Sequence, residues 1–75
     1  MKVFLIGCGD IARHHGLAVV RLGGSINGCF DISEVNAHIV SEEFGCPAVG
    51  YEEIESLCAQ ADYAVISTPP TKRLD

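Results

Sequence analysis

Apolar positions in the chain follow two patterns, short unbroken runs and longer stretches at helical spacing. Val3-Phe4-Leu5-Ile6 is an unbroken run rich in β-branched and aromatic side chains, bounded by Lys2 and Gly7. Such a run predicts a strand buried on both faces, as in a parallel sheet. Ile11, His15, Ala18, Val19 and Leu22 then recur at helical spacing until Gly23-Gly24, which predicts a helix over 11–22. His15 reads as a core or near-core residue of that helix. Ile26 to Phe30 forms a second strand. Ser33 is placed to cap the next helix, with Glu34 in its first turn where the dipole favours an acid. Val35, Ile39, Val40 and Phe44 give that helix an apolar stripe, and Gly45 ends it. Pro47-Ala48-Val49 reads as a short third strand. Tyr51 to Ala61 reads as a third helix, with Ile54, Leu57, Cys58 and Ala61 on one side. Tyr63 to Ser67 is a fourth strand, and Thr68-Pro69-Pro70 a loop.

The order β-α-β-α-β-α-β predicts an α/β fold of Rossmann type, a parallel sheet with right-handed crossovers. The expected strand order is 3-2-1-4, half of a doubly wound domain, with the first two helices on one face and the third on the other. The switch point then falls between strands 1 and 4, beside Gly7–Gly9 and Thr68–Pro70, where ligands of open α/β sheets bind.

Charge and composition narrow the function. The net charge is −5, and Lys2, Arg13, Arg21, Lys72 and Arg73 are scattered, so a phosphate-tracking patch for nucleic acid is not expected. Glu42-Glu43 and Glu52-Glu53-Glu55 read as solvated helix faces. Cysteines 8, 29, 46 and 58 fit no zinc spacing, and His14 and His38 lack partners at ligand spacing, so no metal site is expected. Met1 leads directly into a strand, and no apolar run has membrane-spanning length. Reduced thiols in a cytoplasmic protein follow, with Cys29 and Cys58 as core fillers.

The candidate chemistry lies in Gly7-Cys8-Gly9-Asp10-Ile11-Ala12, a G-x-G-x-x-A between a strand and a helix. Gly7 permits the sharp turn, Gly9 lets backbone approach a pyrophosphate, and Ala12 lets the helix pack close to the sheet. The helix N-terminus offers free N–H groups to the phosphates. Asp10 lies near that anion and is expected to point away and cap the helix. Asp31 follows 19 residues after Ala12, at the end of the second strand, where a carboxylate meets the adenosine ribose. Asp31-Ile32, without an adjacent arginine, favours NAD over NADP, since a 2′-phosphate would meet like charge. A methyltransferase cofactor site fits less well, because Leu5 stands where its acid would be.

Ile6-Gly7-Cys8-Gly9-Asp10-Ile11-Ala12, continuing through Arg13 and His14 to His15, resembles the opening of the glucose–fructose oxidoreductase / inositol dehydrogenase (Gfo/Idh/MocA) family. The resemblance extends through Phe30-Asp31, Glu42 to Pro47, Tyr51, and Ala61 to Pro70. It implies an NAD(P)-dependent oxidoreductase acting on polyols or sugars. Gly7 to Ala12 would hold the pyrophosphate, Asp31 with Ile32 the adenosine ribose, and Ser67, Thr68, Pro69 and Pro70 the nicotinamide-ribose side. His15 matches a recurrent family histidine. Arg73 stands where the family often has a histidine, and neither Lys2 nor Lys72 matches its catalytic Glu-Lys-Pro lysine. No catalytic residue is therefore assigned. Residues 1–75 read as one partial NAD(P)-binding Rossmann domain without its substrate domain, not catalytic in isolation. A non-catalytic module that senses nicotinamide nucleotides is the alternative. Strand 4 would present an open edge to a second copy.

Overall fold

In the computed structural model, which describes residues 1–67, the first apolar run is the centre of the sheet. It forms β1 (Lys2–Ile6), followed by α1 (Asp10–Arg21), β2 (Ser25–Phe30), α2 (Glu34–Phe44), α3 (Tyr51–Gln60) and β3 (Tyr63–Ile66). The strands are parallel in the order β2-β1-β3. Val3, Phe4 and Leu5 are buried, as a strand flanked on both sides and covered on both faces must be.

The expected third strand is not formed. Residues 47–49 do lie outside β2, as the order 3-2-1-4 requires, but only Ala48 makes a bridge, to Cys29. That bridge consists of Cys29 N–H to Pro47 C=O at 3.0 Å and Val49 N–H to Cys29 C=O at 2.9 Å. Pro47 has no N–H to extend the ladder, and Gly50 immediately caps α3. The sheet therefore has three strands among the described residues. Thr68-Pro69-Pro70 and Arg73 lie outside them.

Alternation along β1 divides the core. Val3 and Leu5 pack with Ile26, Cys29, Ala37, Val40, Cys46 and Cys8, joined by Val19, Phe44 and Val65. This is the face covered by α1 and α2. Phe4 points the other way, where the space above Gly28 is filled by Phe4 and Leu57 of α3. The expected division of helices between the faces is thus observed. A bulge between Val3 and Phe4 skips Asn27, which keeps Ile26 and Cys29 on the same face. Asn27 donates from Nδ2 to Leu57 C=O at 3.1 Å and so ties the bulge to α3.

Helix boundaries follow the punctuation. Ser33 caps α2, its hydroxyl accepting from Asn36 N–H at 3.3 Å, and Gly45 closes the helix in the left-handed region at φ 66°. The inner faces of α1 and α2 differ from expectation. In α1 the sheet-facing stripe is Ala12, Gly16 and Val19, while Ile11 is 65% and Leu22 80% exposed. His15 is also exposed, which corrects its placement in the core. Gly16 faces the Phe44 ring so closely that a Cβ there would stand 2.5 Å from Cζ. Small residues let α1 lie close to the sheet, and close approach decided which face turned inward. In α2 the buried pair is Ala37 and Val40, with Val35 and Ile39 exposed. Ile54, Leu57, Cys58 and Ala61 are half-buried, the side expected of the third helix.

Candidate dinucleotide-binding site

The parallel register of β1 and β2 sets their C-terminal ends side by side, with Ile6 opposite Phe30. The residue after each end then meets the other. Gly7 N–H donates to Phe30 C=O at 2.8 Å, and Cys8 N–H donates to Asp31 Oδ2 at 2.7 Å. Gly7 has φ 97°, a conformation that L side chains rarely adopt, so the turn out of β1 depends on glycine there. Gly9 is the N-cap of α1, has no side-chain cap, and has open space where a Cβ would be. The first intrahelical bond is Arg13 N–H to Gly9 C=O at 3.1 Å. The N–H groups of Asp10, Ile11 and Ala12 precede it and have no partner within the helix.

Asp31 is half-buried and held at both oxygens, since Oδ1 accepts from Ser33 N–H at 2.7 Å. An ionised carboxylate offers about four acceptor positions, so two remain for hydroxyl groups. The bond to Cys8 links the acid directly to the glycine turn, a link that no spacing rule reveals. Cys8 itself is buried, with Sγ 3.5 Å from Phe30 C=O. Burial pushes its thiol up; the Cys29 contact pulls it back in part, and the Asp31 charge adds to the rise. Cys29 is raised further, by its thiol contact with Cys46 and by burial. The turn thus adds no thiolate charge beside an incoming anion.

The expected residues do not all converge. Gly7, Cys8, Gly9, Ala12 and Asp31 meet at the ends of β1 and β2. Asp10 points away as expected but does not cap the helix, because Gly9 holds that position. Its side chain is 93% exposed and lies 3.9 Å from Arg13, whose Nε is 2.7 Å from Glu43 of α2. Ile11 projects into solvent, and Ile32 is 83% exposed. Ser67 N–H donates to Ile6 C=O at 2.8 Å, which brings the end of β3 beside the glycine turn.

An open pocket of about 430 Å³ adjoins the acid, lined by Asp31, Glu34, Ala37, His38, Ala48, Val49 and Gly50. In the sequence Glu34 reads as part of a helix start and His38 as a residue without a partner, and neither is assigned to the nucleotide site. Their helical spacing just after Asp31 is the signal that would have found them. A smaller hollow of about 250 Å³ lies on α1 between Asp10, Arg13, His14 and Leu17. No group of three His, Cys, Asp or Glu side chains among the described residues is arranged to hold a metal ion. No helix among them is long and apolar enough to cross a membrane.

The profile of an oxidoreductase family with an NAD-binding Rossmann fold, Gfo/Idh/MocA, matches residues 1–75. Among solved structures, the chain is similar to the WlbA dehydrogenase of Chromobacterium violaceum in complex with NADH and UDP-GlcNAcA. The TM-score is 0.78 at 25% identity, covering 92% of this chain and 21% of that one. The Bordetella pertussis WlbA dehydrogenase, also with NADH and UDP-GlcNAcA, has the same fold, with TM-score 0.75, 23% identity and the same coverage of 92% and 21%. The chain thus spans about a fifth of the length of these structures. No match was found among curated proteins.

Proposed function

The chain belongs to the Gfo/Idh/MocA oxidoreductase family, with its NAD-binding Rossmann fold, and we propose that the G-x-G turn and Asp31 are its nucleotide site. The observation that carries this reading is the uncapped N-terminus of α1 behind Gly9, open where a Cβ would stand and joined to Asp31 through Cys8 N–H at 2.7 Å. Donors and open space fit a pyrophosphate, and a fixed carboxylate with two free acceptor positions fits a ribose diol.

Gly7, Cys8, Gly9 and Ala12 shape the phosphate cradle, and the amides of Asp10, Ile11 and Ala12 direct donors into it. Asp31, with Ile32 beside it, holds the adenosine ribose and prefers NAD to NADP. Ser67, followed by Thr68, Pro69 and Pro70, serves the nicotinamide-ribose side. Bound NAD supplies the hydride-transfer chemistry. The substrate of the oxidoreductase is a secondary alcohol of a polyol or sugar. The sugar-acid nucleotide in the Chromobacterium complex suits that class. Residues 1–75 bind and orient the nucleotide, and the base that takes the hydroxyl proton comes from outside them. They form a partial Rossmann domain, in a cytoplasmic setting that suits four free thiols. β3 pairs only with β1 in the described sheet, and its other edge is a place for a second copy to join.

Amide-correlation NMR of the labelled chain tests the site. NADH is expected to shift Gly7, Gly9 and Asp31, and NADPH to shift them less. A dispersed spectrum that ignores both nucleotides would overturn the reading. Steady NADH production from NAD with inositol or glucose would overturn the assignment of the base elsewhere.

A further inference from the structure

A 2′-phosphate on an adenosine ribose held by Asp31 would lie beside that acid, and the pocket there is shared with Glu34, in the first turn of α2. A helix N-terminus is ordinarily a good place for a phosphate, because its first amides are free and its dipole is positive. Here one of those amides is already taken, by the N-cap. Asp31 Oδ1 takes Ser33 N–H at 2.7 Å, and the Ser33 hydroxyl takes Asn36 N–H at 3.3 Å. Glu34 sets a second carboxylate in the first turn.

The remaining lining adds no guanidinium or ammonium group. Ala37, Ala48, Val49 and Gly50 are neutral, and His38 lies with Nε2 3.6 Å from Glu42 Oε2. Arg13 is held between Asp10 and Glu43 on the other side of the turn.

Resting on the nucleotide site proposed above, we infer that Glu34 is a specificity-determining residue that excludes the 2′-phosphate of NADP. Asp31 serves the ribose and cannot swing aside, since both its oxygens are tied to backbone amides. Glu34 has no such tie among the described residues and lines the same pocket as Asp31. Discrimination therefore comes from two acids in one pocket whose lining holds no lysine or arginine.

The test is titration of the 75-residue chain with NADH and with NADPH, for wild type, Glu34→Gln, Glu34→Lys and Glu55→Gln. Glu55 is exposed on α3 and outside the pocket, so its variant carries the same change in net charge without the local one. Removing one like charge near a phosphate is expected to raise affinity for NADPH relative to NADH by roughly threefold to tenfold in Glu34→Gln. Glu34→Lys should raise the ratio further, and Glu55→Gln should leave it as in wild type. A ratio that does not move in either Glu34 variant, while wild type binds NADH, overturns this inference and leaves the nucleotide site standing. A ratio that moves equally in Glu55→Gln overturns it as well, assigning the effect to net charge. If wild type binds neither nucleotide, the site reading fails first and this inference falls with it.

Discussion

The two faces of the sheet are covered unequally. Under α1 and α2, Val3, Leu5, Ile26 and Cys29 pack with Ala37, Val40 and Cys46 into one buried cluster that reaches Cys8 in the glycine turn. Under α3, Phe4 is fully buried against Gly28 and Leu57, yet no residue of α3 itself is buried. β3 is likewise exposed along most of its length. The candidate site stands at the end of the well-packed face, and the loosely covered elements border it at Ser67, after β3, and at Gly50, the N-cap of α3. Close packing here holds the turn and Asp31 in place, which is what a preorganised anion cradle needs.

The largest test of this contrast is truncation of one leucine on each face. Leu5→Ala removes a fully buried side chain from the cluster and is expected to cost about 2–5 kcal/mol. In a domain this small that is a large share of total stability. Leu57→Ala, on the half-buried helix, should cost less, about 1–2 kcal/mol, since part of its surface stays in water. Urea denaturation of both variants decides the point. Equal losses would mean that α3 is as much a part of the core as α1 and α2.

A second test separates what the turn contributes to folding from what it contributes to binding. Gly7→Ala forces a Cβ into φ 97°, at a cost of about 1–3 kcal/mol. Gly9→Ala places a methyl group in open space at φ −85° and should change stability by less than about 0.5 kcal/mol. NADH affinity should nevertheless fall at least as far in Gly9→Ala, because that methyl group occupies the approach to the pyrophosphate. Thermal melting and NADH titration of the pair measure the two effects separately. An unstable Gly9→Ala, or one that binds NADH as wild type does, would break the division of labour between the glycines.

The same contrast explains how far the sequence could be read. Boundaries were legible because local residues set them. Gly7, Ser33, Glu34 and Gly45 mark ends by backbone geometry and capping, and each stands where that logic places it. Asp31 was legible because parallel strands of similar length put their ends together. Faces were less legible. Reading by apolar size pointed to Ile11 and Leu22, whereas Ala12 and Gly16 face inward because they let α1 approach the sheet and Phe44. The strand at 47–49 failed for a local reason, the missing N–H of Pro47. The Cys8–Asp31 bond and the pocket at Glu34 depend on how strand ends and helix starts meet in space, and spacing alone does not report that.

The smallest expected effect sharpens the contrast through pH. Cys8 and Cys29 belong to the packed face, and both thiols are raised above the ordinary 9.0. In the unfolded chain they ionise near that value, while in the folded chain they ionise only at higher pH. The folded state then holds more protons, so stability is full below the unfolded pKa and declines as pH rises above it. Cys46, held below the ordinary range by its contact with Cys29, offsets part of that decline. Urea midpoints at about pH 8 and pH 10 measure the decline. Cys8→Ser, which cannot ionise in this range, should show a shallower decline than wild type, whatever its starting stability. Cys58→Ser, on the half-buried helix, is the reference for losing one thiol outside the cluster. If the two serine variants decline equally, the thiols of the packed face are no better shielded from water than the one beneath α3, and the inequality between the faces is one of side-chain volume alone.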